Sequence, residues 1–340
     1  MTLADVSKAA GVGVATVSRA LAAEEHRDVS ASTRARIREI ADQLGYRPST
    51  TARALRSGGY HAISVVVPDD AWGWWEPTVR SAYQAAADKG YQVLVHPIAG
   101  RKGGAASVVE SLANVPTEGV LLFGSAGDIS VKEAADRLRL PVVTIDDVTE
   151  ETVLPTIATD NRSGACEAVA HLAAIGNTRI AYVGSGNEDA LSRARLSGYH
   201  DALAAAGLPA DKDLIVSCSR WVDESVVTHP EVDRLIDQIQ DIDAIFCEFD
   251  LMAAPVLRSL RAKGLRVPAD ISVVGFDGER AAQLLDPPLT TMRQPYEEMG
   301  EKAVLLLLKA IGGQAISPQR QLLKPRLIPG LSTEKRTGRI

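Results

Sequence analysis

Leu3-Ala4-Asp5-Val6-Ser7-Lys8-Ala9-Ala10-Gly11-Val12-Gly13-Val14-Ala15-Thr16-Val17-Ser18-Arg19-Ala20-Leu21 is the stretch on which the reading of this chain turns. Thr2 and Asp5, three residues apart, form a capping-box pattern that opens a helix over residues 3–10. Gly11-Val12-Gly13 breaks that helix, because glycine admits the positive φ of a tight turn. A second short helix is expected over residues 14–21. Two helices joined by a glycine-bearing turn can place the second in the DNA major groove. A plain helical bundle would share that spacing, so by itself the pattern is a weak signal.

Outward from this stretch, Ser30 is placed to cap a third helix. Its Ile37, Ile40 and Leu44 fall on one core-facing stripe. Gly45 stops that helix, and Pro48 permits a fresh start, giving a short segment over residues 49–56 before the Ser57-Gly58-Gly59 junction. Residues 1–60 carry nine Lys and Arg against six acids, whereas the other 280 residues carry 28 against 37. A basic head on an acidic body suits a module that approaches phosphate while the body stays clear.

Beyond Ala62 the texture changes. Apolar runs occur at residues 63–67, 93–95, 120–123, 142–145, 180–183, 214–216, 244–246 and 271–276, with helical patterns between most of them. Short continuous runs alternating with helices mark parallel strands buried on both faces, hence one doubly wound sheet or two smaller ones. With 46% apolar residues the chain of 340 has ample core for two or three units. The start shows no basic segment followed by an apolar stretch, so no signal peptide is expected, and no apolar run spans a bilayer. Cys166, Cys218 and Cys247 lack metal-motif spacing, and the six histidines are dispersed. Neither a disulfide framework nor a metal or other cofactor is expected, and a reducing cytoplasmic location fits.

The head resembles the lactose-repressor (LacI/GalR) family of bacterial transcription regulators. The resemblance rests on Leu3-Ala4-Asp5-Val6, Ala9-Ala10-Gly11-Val12 and Ala15-Thr16-Val17-Ser18-Arg19-Ala20-Leu21. It continues in register through Val29-Ser30, Thr33-Arg34, Leu44-Gly45-Tyr46-Arg47-Pro48 and Ala52-Arg53-Ala54-Leu55. It implies an all-α helix-turn-helix domain over residues 1–47 and a hinge helix with linker over 48–60. On this reading Thr2, Val14, Ala15, Thr16, Ser18, Arg19 and Thr33 contact DNA. Ala52, Arg53, Leu55 and Arg56 would act from the hinge, with Leu55 wedged into the minor groove. Val14 and Ala15 are small and apolar, so they suit thymine methyls rather than bidentate hydrogen bonds. Gly13 departs from the serine usual there.

The resemblance extends through the body, in Asp160-Asn161-Arg162, Arg179-Ile180-Ala181-Tyr182-Val183-Gly184, Arg195-Leu196-Ser197-Gly198-Tyr199 and Asp270-Ile271-Ser272-Val273-Val274-Gly275-Phe276-Asp277, then Pro288-Leu289-Thr290-Thr291. It implies a periplasmic-binding-protein-like body over residues 61–340, made of two doubly wound parallel-sheet subdomains. The first would comprise about 61–160 and 291–323, the second about 161–290 and 324–340. Crossings are expected near Asp160, Thr290 and Leu323, with an effector between the subdomains. Trp72, Trp74 and Trp75 place three of the four tryptophans in one loop, a stacking surface for a ring, although tryptophans often simply cap a core. Trp74, Trp75 and Trp221, with Asp160, Arg195 and Asp250, match family positions that contact effectors, whereas Asp277 reads as structural. Carboxylates, a guanidinium and aromatic faces favour a sugar, glycoside or polyol, with a nucleoside or nucleobase second.

Competing readings have less support. Gly11-Val12-Gly13 has no preceding strand and Thr16 stands at its third glycine position, so dinucleotide binding fails, and no GxSxG elbow or catalytic carboxylate pair occurs. A secreted sugar-binding protein would not carry the basic head. The expectation is therefore a non-enzymatic homodimer on a pseudo-palindromic operator, responding to a small effector.

Overall fold

The computed structural model describes residues 1–21, 27–47, 59–68, 72–98, 100, 103–124, 129–146, 151–218, 228–238 and 241–334, the side chains of residues 72–74 excepted. The chain divides into two compact units, Met1–His61 and Ala62–Ile340. The hinge positions Ala52, Arg53, Leu55 and Arg56, the Trp74 side chain and Trp221 lie outside the described residues.

In the first unit, α1 (Leu3–Ala10), α2 (Val14–Ala20) and α3 (Ala31–Gln43) occupy the expected spans. The capping box is complete. The Thr2 N–H donates to Asp5 Oδ2 at 2.7 Å, and the Asp5 N–H reaches back to Thr2 Oγ1 at 3.4 Å. Gly11 takes φ 63°, the left-handed turn that ends α1. Ser30 accepts from the Thr33 N–H to start α3. Val6, Val17, Val29, Ile37 and Tyr46 form a small separate core.

Among its described residues the second unit holds two six-stranded sheets. In the first, β1 (Ala62–Val67), β2 (Gln92–Pro97), β3 (Val120–Phe123), β4 (Val142–Ile145), β5 (Thr156–Thr159) and β11 (Arg320–Leu323) run in the order β11-β5-β4-β3-β1-β2, all parallel. The second is ordered β12-β10-β9-β8-β6-β7. It contains β6 (Ile180–Gly184), β7 (Ile215–Ser217), β8 (Ala244–Cys247), β9 (Ser272–Asp277), β10 (Thr290–Arg293) and β12 (Arg326–Ile328). Only β12 runs antiparallel to its neighbour there. The connecting helices are α4 (Trp72–Asp88), α5 (Gly104–Ser111), α6 (Ile129–Leu138), α7 (Asn161–Ala174), α8 (Ala190–Ala205), α9 (Pro230–Gln238), α10 (Asp250–Ala262) and α11 (Tyr296–Ile311). Each sheet separates two apolar clusters, so its central strands are buried on both faces. That is why those strands read as continuous Val, Ile and Leu runs.

The chain crosses between sheets three times: after Thr159, between β10 and α11, and between Leu323 and Arg326. Thr290–Arg293 still belong to the second sheet, and α11 then packs its Met299, Ala303, Val304 and Leu307 onto the first. The crossings are tied together, because the Asp160 N–H donates to the Leu323 carbonyl at 2.8 Å. Short strands rich in threonine, Thr156–Thr159 and Thr290–Arg293, escaped the apolar-run criterion because their hydroxyls are paired inside the sheets. Open α/β sheets bind ligands beyond the carboxyl ends of their strands. In this body those ends carry Gly124, Asp146, Asp160, Ser185, Glu248 and Asp277.

Candidate functional site

Arg195 lies on α8 with no exposed surface, although no sequence periodicity distinguishes it. Its guanidinium is held on all sides. Nε donates to Asn161 Oδ1 at 2.9 Å, Nη1 to the Glu248 carbonyl, and Nη2 to Asp277 Oδ1 at 3.1 Å. The Phe276 ring stacks at 3.7 Å and the Phe249 ring at 4.7 Å, so aromatic faces replace water around the cation. A buried guanidinium persists only when its donors are satisfied in this way.

From Arg195 a chain of hydrogen bonds runs across the crossings. Asp277 Oδ1 also accepts from Gln294 Nε2 at 2.7 Å. Gln294 Oε1 accepts from Thr159 Oγ1 at 2.6 Å, and the Thr159 N–H donates to Asp146 Oδ1 at 2.8 Å. Asp146 and Thr159 stand at the ends of β4 and β5 in the first sheet, whereas Asp277 ends β9 in the second. One buried network therefore bridges the two halves. Asp277 has φ 118°, a conformation rare outside glycine, and strain of this kind concentrates at functional sites.

Asp250 opens α10 and is 3% exposed. Its carboxylate accepts from Thr291 Oγ1 at 2.6 Å and from the Glu279 N–H at 2.9 Å. Gly275 is required beside it, since a Cβ there would sit 2.2 Å from Asp250 Oδ1. Burial, reinforced by the charge of Asp277, pushes Asp250 well above the usual carboxylate range. Burial raises Asp146 to about 6 against the bond from Thr159, and raises Glu279 to about 7 with help from Asp277. Glu248 is also buried, accepting from the Ser185 N–H at 2.7 Å and Ser192 Oγ at 2.6 Å.

The sequence-predicted positions divide. Arg195 and Asp250 belong to this buried assembly. Asp160 caps α7 by accepting from the Ser163 N–H at 3.1 Å, and lines a recess of about 150 Å³ with Asp146, Asn161 and Arg320. Trp75 lies half-buried on α4, edge-on to Phe123 at 5.7 Å and over Gly124, where a Cβ would come within 2.2 Å of its ring. Its buried Nε1 finds no acceptor among the described residues. A larger recess, about 710 Å³, is lined by Glu76, Arg80, Glu279, Thr291, Arg293 and Tyr296. Asp146, Glu248, Gln294 and Thr291, which the sequence reading did not single out, join these positions, and Asp277, read there as structural, is the partner of Arg195 and Gln294. Only tertiary proximity singles these residues out.

On the head, Val14 is 47% exposed, and Ala15 and Arg19 are also exposed at and beyond the N-terminus of α2. Thr16 and Ser18 are half-buried beside them. Among the described residues Arg19 makes only a loose contact with Asp28 at 3.8 Å, both side chains being well exposed. Thr2 and Thr33 are engaged in the caps of α1 and α3.

A helix-turn-helix unit followed by a two-sheet body with a buried polar cleft defines a ligand-sensing DNA-binding regulator. Known proteins point the same way. Residues 2–49 match the model for bacterial regulatory proteins of the lacI family, and residues 169–333 match a periplasmic binding protein-like domain. The chain is similar to the HTH-type transcriptional repressor CytR of Escherichia coli K12, 33% identical over 96% of this chain and 94% of that protein. Among solved structures it is similar to a transcriptional regulator CelR–cellobiose complex, at 30% identity and TM-score 0.70, covering 98% of this chain and 99% of that one. It is also similar to the lac repressor dimer bound to operator and the anti-inducer ONPF, at 26% identity and TM-score 0.80 over 98% and 99%. The chain belongs to the LacI family of DNA-binding transcription regulators. No helix among its described residues is long and apolar enough to cross a membrane.

Proposed function

We propose that this chain is a homodimeric repressor that acts in the cytoplasm, has no enzymatic activity, and releases or grips operator DNA according to an uncharged, hydroxyl-rich effector: a sugar, glycoside or polyol. The observation that carries the reading is the network from Arg195 through Asp277, Gln294 and Thr159 to Asp146. It joins both sheets in the cleft, so a ligand that competes for its polar groups alters how the halves are held. Operator affinity then shifts only as far as the ligand prefers one arrangement. The cleft gathers carboxylates (Asp146, Asp250, Asp277, Glu279), all pushed up by burial, around one satisfied guanidinium. Such a site repels a phosphorylated ligand and favours hydroxyls, which both donate and accept. Trp75 Nε1, without a partner among the described residues, offers a further donor. The cellobiose complex of the similar CelR supports the same class.

Thermal shifts against cellobiose, other glycosides, polyols and nucleosides test this, since a ligand at a hundredfold its Kd adds about 2.7 kcal/mol. A shift with a carbohydrate, lost in Trp75→Ala and Asp250→Asn, is the expected result. A shift with nucleosides alone would replace the effector class. For the DNA side, Leu55→Ala should weaken operator binding and leave the effector shift intact; loss of both would refute the modular reading.

A further inference from the structure

Cys218, His229 and Glu231 are not members of the hydrogen-bond chain from Arg195 to Asp146, yet meet in space. One potential ligand atom from each, a thiol, a ring nitrogen and a carboxylate oxygen, all fall within 4.8 Å of one another. Cys218 follows β7, where its N–H donates to the Gly184 carbonyl at 2.8 Å. His229 precedes α9, its carbonyl accepting from the Asp233 N–H at 3.0 Å, and Glu231 lies in that helix's first turn. Both backbones are thus fixed. His229 is 2% exposed and its Nε2 has no hydrogen-bond partner among the described residues, an orphaned polar atom that a protein interior ordinarily satisfies.

We propose that these three residues form a binding site for a thiophilic divalent cation of the zinc type, tying the end of β7 to the start of α9. The donor set of one thiolate, one imidazole and one carboxylate is what zinc accepts, leaving a fourth position open. With metal–ligand bonds of roughly 2.0–2.3 Å, tetrahedral ligand atoms stand about 3.5 Å apart. The cluster therefore closes by about an ångström, within reach of side-chain rotation. Burial lowers the affinity of His229 for protons, which leaves its imidazole neutral and able to ligate. Cys218 is a buried thiol, so binding displaces one proton from sulfur into solvent as the metal–sulfur bond forms.

Titration of the full-length, chelator-stripped protein with Co²⁺ reads this directly. One equivalent should produce a thiolate-to-cobalt charge-transfer band and release one proton, and Zn²⁺ should bleach the band. Cys218→Ala and His229→Ala, each checked by circular dichroism for an intact fold, should lose it. Glu231→Gln should weaken the affinity by at least about tenfold, and Cys166→Ala should change nothing. Should Cys218→Ala fail to fold, His229→Ala and Glu231→Gln carry the test. Absence of a band in the wild-type protein overturns the site, as does full affinity in the folded variants.

Discussion

The DNA contacts proposed for the head and the effector site proposed for the cleft are built in opposite ways. Val14, Ala15 and Arg19 on the head are exposed, and among the described residues Arg19 has only a loose ion pair with Asp28, whereas in the body Arg195 and Asp277 are buried and bonded to each other and Asp250 is buried and bonded to Thr291 and Glu279. DNA is a large polyanion with its own counterions, so a surface kept solvated until contact serves it well. A small neutral ligand offers little area, and discrimination then requires desolvated polar groups fixed beforehand. Substitutions at the contact positions proposed for the two regions should therefore have very unequal structural costs.

Arg195→Ala tests that contrast most severely. It takes the guanidinium from Asn161 and from Asp277, which keeps only Gln294 among the described residues, and removes a cation stacked on two rings. A loss of about 3–5 kcal/mol is expected in urea unfolding of the body, accompanied by loss of effector binding. Asp250→Asn comes next. Both carboxylate oxygens accept from fixed donors, Thr291 and the Glu279 N–H, so the amide nitrogen must face one of them. A loss of roughly 1–3 kcal/mol follows, measured the same way.

Acidity separates the two regions further. Glu279 binds its proton more tightly when folded, about 7 against an ordinary 4.5, so its stabilising share is complete below about 4.5 and is lost as pH rises through about 7. Asp146 behaves alike between 3.8 and about 6. Body stability should therefore decline by about 1–2 kcal/mol on going from pH 5 to 8 on account of Glu279, and Glu279→Gln should flatten that slope. The head should show the smallest responses. Thr2→Ala disrupts the capping box and should cost about 1 kcal/mol, whereas Arg19→Ala should alter head stability by less than about 0.5 kcal/mol while clearly weakening operator binding. A large stability loss in Arg19→Ala would mean that the head, too, recognises through groups locked into its own structure.

Legibility followed the same divide. The residues of the head announce their roles locally: Thr2 and Asp5, Gly11, and Ser30 with Thr33 act within four residues of one another. The central strands were equally plain, because burial on both faces leaves an uninterrupted apolar run. Arg195 and Asp250 were legible only through family resemblance, and nothing in the sequence alone linked Arg195 to Asp277 or Thr159 to Gln294, 135 positions apart.

The amino-acid order is enough to set the helix caps and turns of the head, the strands that must be doubly covered, and the family. These depend on spacings shorter than one element, where backbone geometry converts sequence distance into space directly. Only in three dimensions is it settled which carboxylates share the cleft, which hydrogen bonds bridge the two sheets, and that Cys218 meets His229 and Glu231. Those depend on which strand ends the sheet order brings together, and a buried polar group finds its partner by proximity and desolvation, not by periodicity.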